Sequence, residues 1–262
     1  MKQRETRSPI KNLPVRQPGQ SLREQALDLF GDIWLPWFLG GLLLVFLTIE
    51  SWCLYFSHSL WLPIVSTILS IITLPVAYIK TRRVMKEMNN LRTGRLGEEA
   101  VGQFLEEKLR PVGFQILHDI PGNGFNVDHV VIGAAGIFSI ETKTRNKPIR
   151  GDVRVQFDGT KLTVDGFAQD RDPVVQAKAQ RDWLIDLLVQ MTTKRFQIRP
   201  VILFPGWFVE MTNPSGEIWA LNETAFLKFL ANEKPKLTPE DVAMITFHLK
   251  QYVLTRQKSS QG

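Results

Sequence analysis

The chain has a single cysteine, Cys53, among its 262 residues. One thiol cannot build a disulfide framework, and it excludes any cysteine-based zinc site. Histidine is scarce too: His118, His129 and His248 stand isolated along the sequence, as expected of structural or solvent-facing residues. Internal repeats and low-complexity tracts are absent. Two long stretches lack charge altogether, with none in the 17 residues 33–49 and none in the 20 residues 60–79. The remainder lacks a strong positive balance. The formal charge is +6, and residues 80–262 hold 26 basic and 21 acidic side chains. Four of those basic residues, Lys80, Arg82, Arg83 and Lys86, flank an apolar stretch. The high pI therefore reports a membrane flank, and the near-neutral remainder argues against tight, nonspecific nucleic-acid binding.

A bilayer core takes roughly 20 apolar residues, with a margin on both sides. Both uncharged stretches qualify, so residues 33–79 are expected to form a transmembrane helical hairpin in contact with the lipid bilayer. Trp52, Tyr55 and Phe56 in the turn suit the interface, and Pro36, Pro63 and Pro75 are tolerable in membrane helices. A buried helical hairpin of a soluble protein is the competing reading. Residues 1–32 read as a polar N-terminal tail, with a short helix over 22–30, too long a polar lead for a cleaved signal peptide. Residues 1–32 carry six Lys and Arg, residues 80–95 carry six, and the turn carries none. The positive-inside rule then places both termini in the cytoplasm and the chain in the cell (inner) membrane, multi-pass. Residues 80–92 read as a juxtamembrane linker.

Residues 93–212 have the pattern of an α/β domain, and residues 213–262 that of a C-terminal helical extension. Residues 93–109 predict an amphipathic helix with Leu96, Ala100, Val101, Phe104, Leu105 and Leu109 on one broad face. At 100° per residue Glu98 falls on that face and Glu99 on the solvent side. An inward-facing carboxylate is either a rim position that reaches water or a functional group.

Residues 126–143 read as a hairpin closed over Ala134-Ala135, which pairs Gly133 with Gly136, Ile132 with Ile137 and Val130 with Ser139. One further step sets Asp128 opposite Glu141, with Cβ atoms roughly 5 Å apart. Lys143 lies two residues along on the same face. Like charges directly opposite destabilise a sheet, so the pair calls for a proton or a cation, and a divalent cation bound by oxygens suits it. A structural Lys143–Glu141 salt bridge is the alternative, and it leaves Asp128 unexplained.

A second hairpin is expected over 153–164, turning at Asp158-Gly159. Asp172-Pro173 reads as the N-cap and first residue of a helix to about Met191, with Gln176 on a stripe with Ala179, Trp183 and Leu187. Residues 201–204 read as a buried central strand stopped by Pro205-Gly206. Residues 217–221 suggest another strand, and Asn222 and Thr238-Pro239 open two further helices.

Four segments in order, Gly94-Arg95-Leu96-Gly97-Glu98, Asp128, Gly136 through Glu141-Thr142-Lys143, and Asp172-Pro173-Val174-Val175-Gln176, resemble the nuclease-related (NERD) domain, which is placed with the PD-(D/E)XK nucleases. The resemblance covers roughly residues 93–207. Val127 stands where the superfamily's proline would be, and the amide motif here is Gln176-x-x-x-Gln180. The resemblance implies a restriction-endonuclease-like mixed sheet flanked by helices and preceded by the two transmembrane helices. It implies a nucleic-acid substrate, DNA or RNA, and Mg²⁺ or Mn²⁺ held by Asp128, Glu141 and the Thr142 carbonyl. Glu98 would act on the metal directly or through its waters. Lys143 would be a cation that positions water, and Gln176 would orient it or the phosphate. A catalytically silent, membrane-anchored module binding nucleic acid or a partner through the same fold is the alternative.

Overall fold

The computed structural model describes residues 16–54, 60–144, 154–164, 167–168, 172–214 and 216–259. Tyr55 and Phe56 of the expected interfacial turn, and Val153 of the second hairpin, lie outside them. The chain divides into two compact units, one of Ser21–Arg95 and one that joins the N-terminal segment through Gln20 to Leu96–Gly262.

The first unit is helical. Helix α1 (Gln20–Asp28) passes through a π-helical stretch (Leu29–Trp34) into α2 (Leu35–Cys53). Helix α3 (Trp61–Leu109) begins in this unit and continues through the expected 80–92 linker without a break. That stretch has neither glycine nor proline and is rich in Lys, Arg, Met and Glu, all good helix formers. The helices Gln20–Cys53 and Trp61–Val112 are long and apolar enough to cross a membrane. Hydroxyls hold α2 to α3: Thr48 Oγ1 meets Ser70 Oγ at 2.8 Å, Ser51 Oγ meets Ser66 Oγ at 3.0 Å, and Trp52 Nε1 donates to Thr67 Oγ1 at 2.9 Å.

The second unit is built on a five-stranded mixed sheet in the order β1-β2-β3-β7-β9. Its strands are β1 (Gln115–Pro121), β2 (Asn126–Gly133), β3 (Gly136–Thr142), β7 (Ile198–Leu203) and β9 (Trp219–Leu221). The first three are antiparallel, and β3, β7 and β9 run parallel. The β2–β3 register is the one the turn predicts, with Gly133 on Gly136, Ile132 on Ile137 and Val130 on Ser139. Alternation then sorts the core. Phe138, Ile140 and Val131 pack with Val101, Leu105 and Leu109 of α3 and Phe226 of α5 (Glu223–Ala231). Ile137, Val130 and Ile132 face the other way, onto Leu184 and Leu188 of α4 (Pro173–Thr192) and Ile245 and Leu249 of α6 (Pro239–Ser259).

A second, small sheet, in the order β6-β5-β4-β8, holds the expected second hairpin as β4 (Val155–Phe157) and β5 (Leu162–Val164), with β6 (Phe167–Ala168) and β8 (Val209–Met211) beside them. Asp158 closes its turn by accepting the Thr160 and Lys161 N–H groups. Asp172 caps α4 through Val174 N–H, and Asn222 caps α5 through Ala225 N–H. The segment beyond residue 212 contributes an edge strand, β9, and the core residues of α5 and α6 to this unit, so it does not stand apart as a helical extension.

Two faces differ from the sequence reading. On α3, Leu96 and Ala100 are exposed, and the inward side is Gly97, Glu98, Val101, Gly102 and Leu105. Periodicity counts apolar side chains and passes over glycine, yet Gly97 and Gly102 are where the helix comes closest to other chain. A Cβ on Gly97 would overlap Thr144, and one on Gly102 would overlap Pro18. On α4 the buried stripe centres on Val174, Ala177, Gln180, Leu184 and Leu188; of the expected stripe Leu187 is buried, Gln176 and Trp183 are half-buried, and Ala179 is exposed.

Candidate functional site

The C-terminal end of β3, beside the end of its parallel neighbour β7, gathers the charged groups. Lys143 N–H donates to the Leu203 carbonyl at 2.8 Å, so the chain stays pinned to β7 one residue past the strand. Lys143 Nζ donates to Glu141 Oε1 at 2.6 Å and to Gln176 Oε1 at 2.9 Å. The other oxygen of Glu141 accepts from Gln180 Nε2 at 2.6 Å, and that amide also reaches the Asn126 carbonyl at 3.0 Å. Asp128 directly precedes His129, the β2 residue paired with β3 furthest from the turn, and its Oδ2 takes the Thr142 N–H at 2.7 Å in place of a ladder bond. Continuing the register by one step sets Asp128 opposite Glu141, as the turn predicts.

Glu98 reaches the same cluster from α3 and is 8 % exposed. Burial, then the charges of Asp119 and Glu141, push its carboxyl up to about 8, partly offset by the Gly19 N–H and by Lys143. Burial likewise holds the Asp128 carboxyl well above the usual carboxylate range, with Glu141 and Glu98 adding to it. Glu98, Asp128, Glu141, Lys143 and Gln176, named from the sequence, thus interact as one cluster.

Two members of this neighbourhood, Asp119 and Arg16, escape a reading of the sequence, and Gln180 enters it only through the amide motif. Gln180 is buried and holds Glu141. Asp119 is 1 % exposed and has a positive φ of 50°, a conformation uncommon outside glycine. It accepts from Arg16 Nε at 2.6 Å and from Asn126 Nδ2 at 3.0 Å. The pairs on either side of it, His118 with His129 and Ile120 with Val127, bracket Asp119 opposite Asp128. Asp119, Asp128 and Glu141 therefore lie in one transverse row across three strands. The signal for Asp119 was present as a lone acid among Ile116, Leu117 and Ile120. Arg16 had none, since it lies 103 residues away in sequence.

The histidines also need correction. His118 and His129 are not isolated: they pair across β1 and β2, with their Nδ1 atoms 2.9 Å apart, and His118 Nε2 contacts Glu106 at 3.1 Å. Burial lowers both imidazoles, His129 the further.

Among the described residues no three Asp, Glu, His or Cys side chains form a ready coordination cage. The donor chemistry still suits a hard cation. Glu141 uses one lone pair on each oxygen and keeps others. Burial raises Glu98 and Asp128 most, and the repulsion that adds to it is relieved by positive charge.

The unit is an α/β domain, a mixed sheet with helices on both faces, with Glu141 and Lys143 at the C-terminal end of β3, Asp128 on the neighbouring antiparallel β2 and Glu98 reaching in from α3. Residues 93–205 match the nuclease-related domain family, NERD. No curated protein and no solved structure matches the chain.

Proposed function

We propose that this protein is a membrane-anchored, metal-dependent nuclease that hydrolyses phosphodiester bonds of DNA or RNA on the cytoplasmic side. The observation that carries the reading is the gathering of Glu98, Asp128 and Glu141 around the Lys143 ammonium at the end of β3. A structural salt bridge needs one carboxylate, and the two further buried acids weaken the fold unless a proton or a cation joins them.

Glu98, Asp128, Glu141 and the Thr142 carbonyl would hold Mg²⁺ or Mn²⁺, which favour oxygen ligands. When bound, such an ion lowers the pKa of a coordinated water and neutralises charge on the scissile phosphate. Lys143 spends two of its three N–H donors on Glu141 and Gln176. The third is left for a phosphate oxygen, where a fixed cation stabilises the pentavalent state. Gln176 sets the direction of that donor, and Gln180 holds Glu141 against rotation. The two apolar helices support membrane anchoring, and the basic flanks on either side of them support a cytoplasmic domain.

The test incubates the full-length protein in detergent micelles with labelled single- and double-stranded DNA and RNA, with and without Mg²⁺ or Mn²⁺. Ion-dependent cleavage that Glu141→Gln abolishes is the expected result. Binding without cleavage under every condition would assign the protein to the silent, nucleic-acid-binding class instead. Topology is tested separately. A reporter active only outside the membrane should be silent when fused after residue 90 and active when inserted near residue 57. The reverse pattern would overturn the two-span arrangement with both ends inside.

A further inference from the structure

The matched domain begins at residue 93, yet residues 16–19 pack against the site. Arg16 Nε lies 2.6 Å from Asp119 Oδ2, with side chains only 10 % and 1 % exposed. Pro18 sits on Gly102 of α3, in space a Cβ would occupy. One turn earlier on α3, Glu98 takes the backbone N–H of the buried Gly19. Asp119 also accepts from Asn126 Nδ2, the Asn126 carbonyl accepts from Gln180 Nε2, and Gln180 holds Glu141 Oε2. An unbroken chain of hydrogen bonds thus runs from Arg16 to Glu141, while Gly19 holds Glu98 directly.

We propose that this N-terminal strap is a working part of the site: Arg16, through Asp119, Asn126 and Gln180, and Gly19, by its N–H, position Glu141 and Glu98 for the divalent cation. The inference rests on the metal-dependent reading above. Its physical basis is twofold. Partners that orient metal-binding side chains typically change affinity about 10- to 100-fold when removed. Loss of the Arg16 guanidinium also removes the buried, charge-assisted hydrogen bond that fixes Asp119 at the root of the chain to Glu141.

The experiment follows the melting temperature of the full-length protein in micelles as Mn²⁺ is titrated, with cleavage measured in parallel. Arg16→Ala should raise the Mn²⁺ concentration for half-maximal stabilisation by about 10-fold. The double variant Arg16→Ala with Asp119→Asn should shift the midpoint no further than Arg16→Ala alone, because the two side chains act along one path, and fully additive shifts would overturn that path. Gly102→Ala changes no charge but evicts Pro18, and it should shift the Mn²⁺ midpoint in the same direction as Arg16→Ala. A strap that served stability alone would lower the metal-free melting temperature and leave the Mn²⁺ midpoint in place, and that result overturns the proposal. Faster cleavage by Arg16→Ala also overturns it, since the strap would then be a lid. A wild-type protein that neither cleaves nor responds to Mn²⁺ defeats the metal-dependent reading itself, and this inference with it.

Discussion

In the helical hairpin, Thr48 meets Ser70 at 2.8 Å and Ser51 meets Ser66 at 3.0 Å. In the α/β unit, Glu98, Asp128 and Glu141 gather around a single ammonium group, that of Lys143. Both are polar groups taken out of water, and they are handled in opposite ways. The hydroxyls are neutral, donate and accept at once, and satisfy one another, which is what a helix pair in an apolar setting needs. The carboxylates only accept when ionised, so proximity makes them repel. Mutually satisfied polar pairs serve the fold, whereas buried acids that oppose one another call for a proton or a cation between them.

The sharpest way to break the comparison is Asp128→Asn. It removes one of the repelling charges and, on the proposed reading, a metal-binding oxygen together. Cleavage should fall by at least about 10³-fold, the stabilisation by Mn²⁺ should vanish, and the metal-free melting temperature should rise. A metal-free protein less stable than wild type would instead make Asp128 a structural partner. Lys143→Ala separates the two roles: cleavage should drop about 10²- to 10³-fold, with the Mn²⁺-dependent rise in melting temperature largely kept.

Next in size is the contrast between neighbours on one helix. Glu98→Gln should cut cleavage strongly and leave the fold nearly intact, while Glu99→Gln should do little. Equal losses from the two, measured as initial cleavage rates, would contradict the assignment of Glu98 to the site.

The pH dependence of metal-free stability comes from Glu98. Its proton is retained in the folded protein up to about 8 and is lost near the ordinary 4.5 on unfolding. Across that window the unfolded state binds fewer protons, so stability should fall as pH rises through it. Asp128 acts in the same direction. Denaturant unfolding without metal, at several pH values in this window, should show the decline, and Glu98→Gln should flatten it. A wild-type protein that gains stability with pH over the same range would contradict the buried, proton-holding state of Glu98.

The smallest effect belongs to the hydroxyl seam. Thr48→Val combined with Ser70→Ala should cost about 1 kcal/mol or less of hairpin stability in micelles, with no change in cleavage per folded molecule. A loss of cleavage from this pair would mean that the seam is not merely structural.

Much of the site is legible in the sequence. The Gly133–Gly136 closure sets the β2–β3 register, and with it Asp128 opposite Glu141, because turn length and two-residue alternation are local properties of the chain. The helix period puts Glu98 inward for the same reason, while Glu99, expected on the solvent side, is half-buried. Gln176 reaches Lys143 as the resemblance implies, although the stripe that would turn it inward is not the buried one. The helical stripes are misplaced wherever glycine forms the contact, since Gly97 and Gly102 carry no apolar side chain to count. The strand Gln115–Pro121 falls outside the elements read from the sequence, and with it Asp119 and the pairing of His118 with His129.

By itself the sequence determined the two apolar helices, the α/β class, the hairpin register and which acids share a face, since each depends on spacing over a few residues. Only the tertiary structure decided that Arg16 meets Asp119 across 103 residues, that Gln180 holds Glu141 across 39, and that Gly19 caps Glu98. Those contacts depend on how strands and helices stack. The same packing decides how much water each carboxylate loses, and so which of them strain against one another.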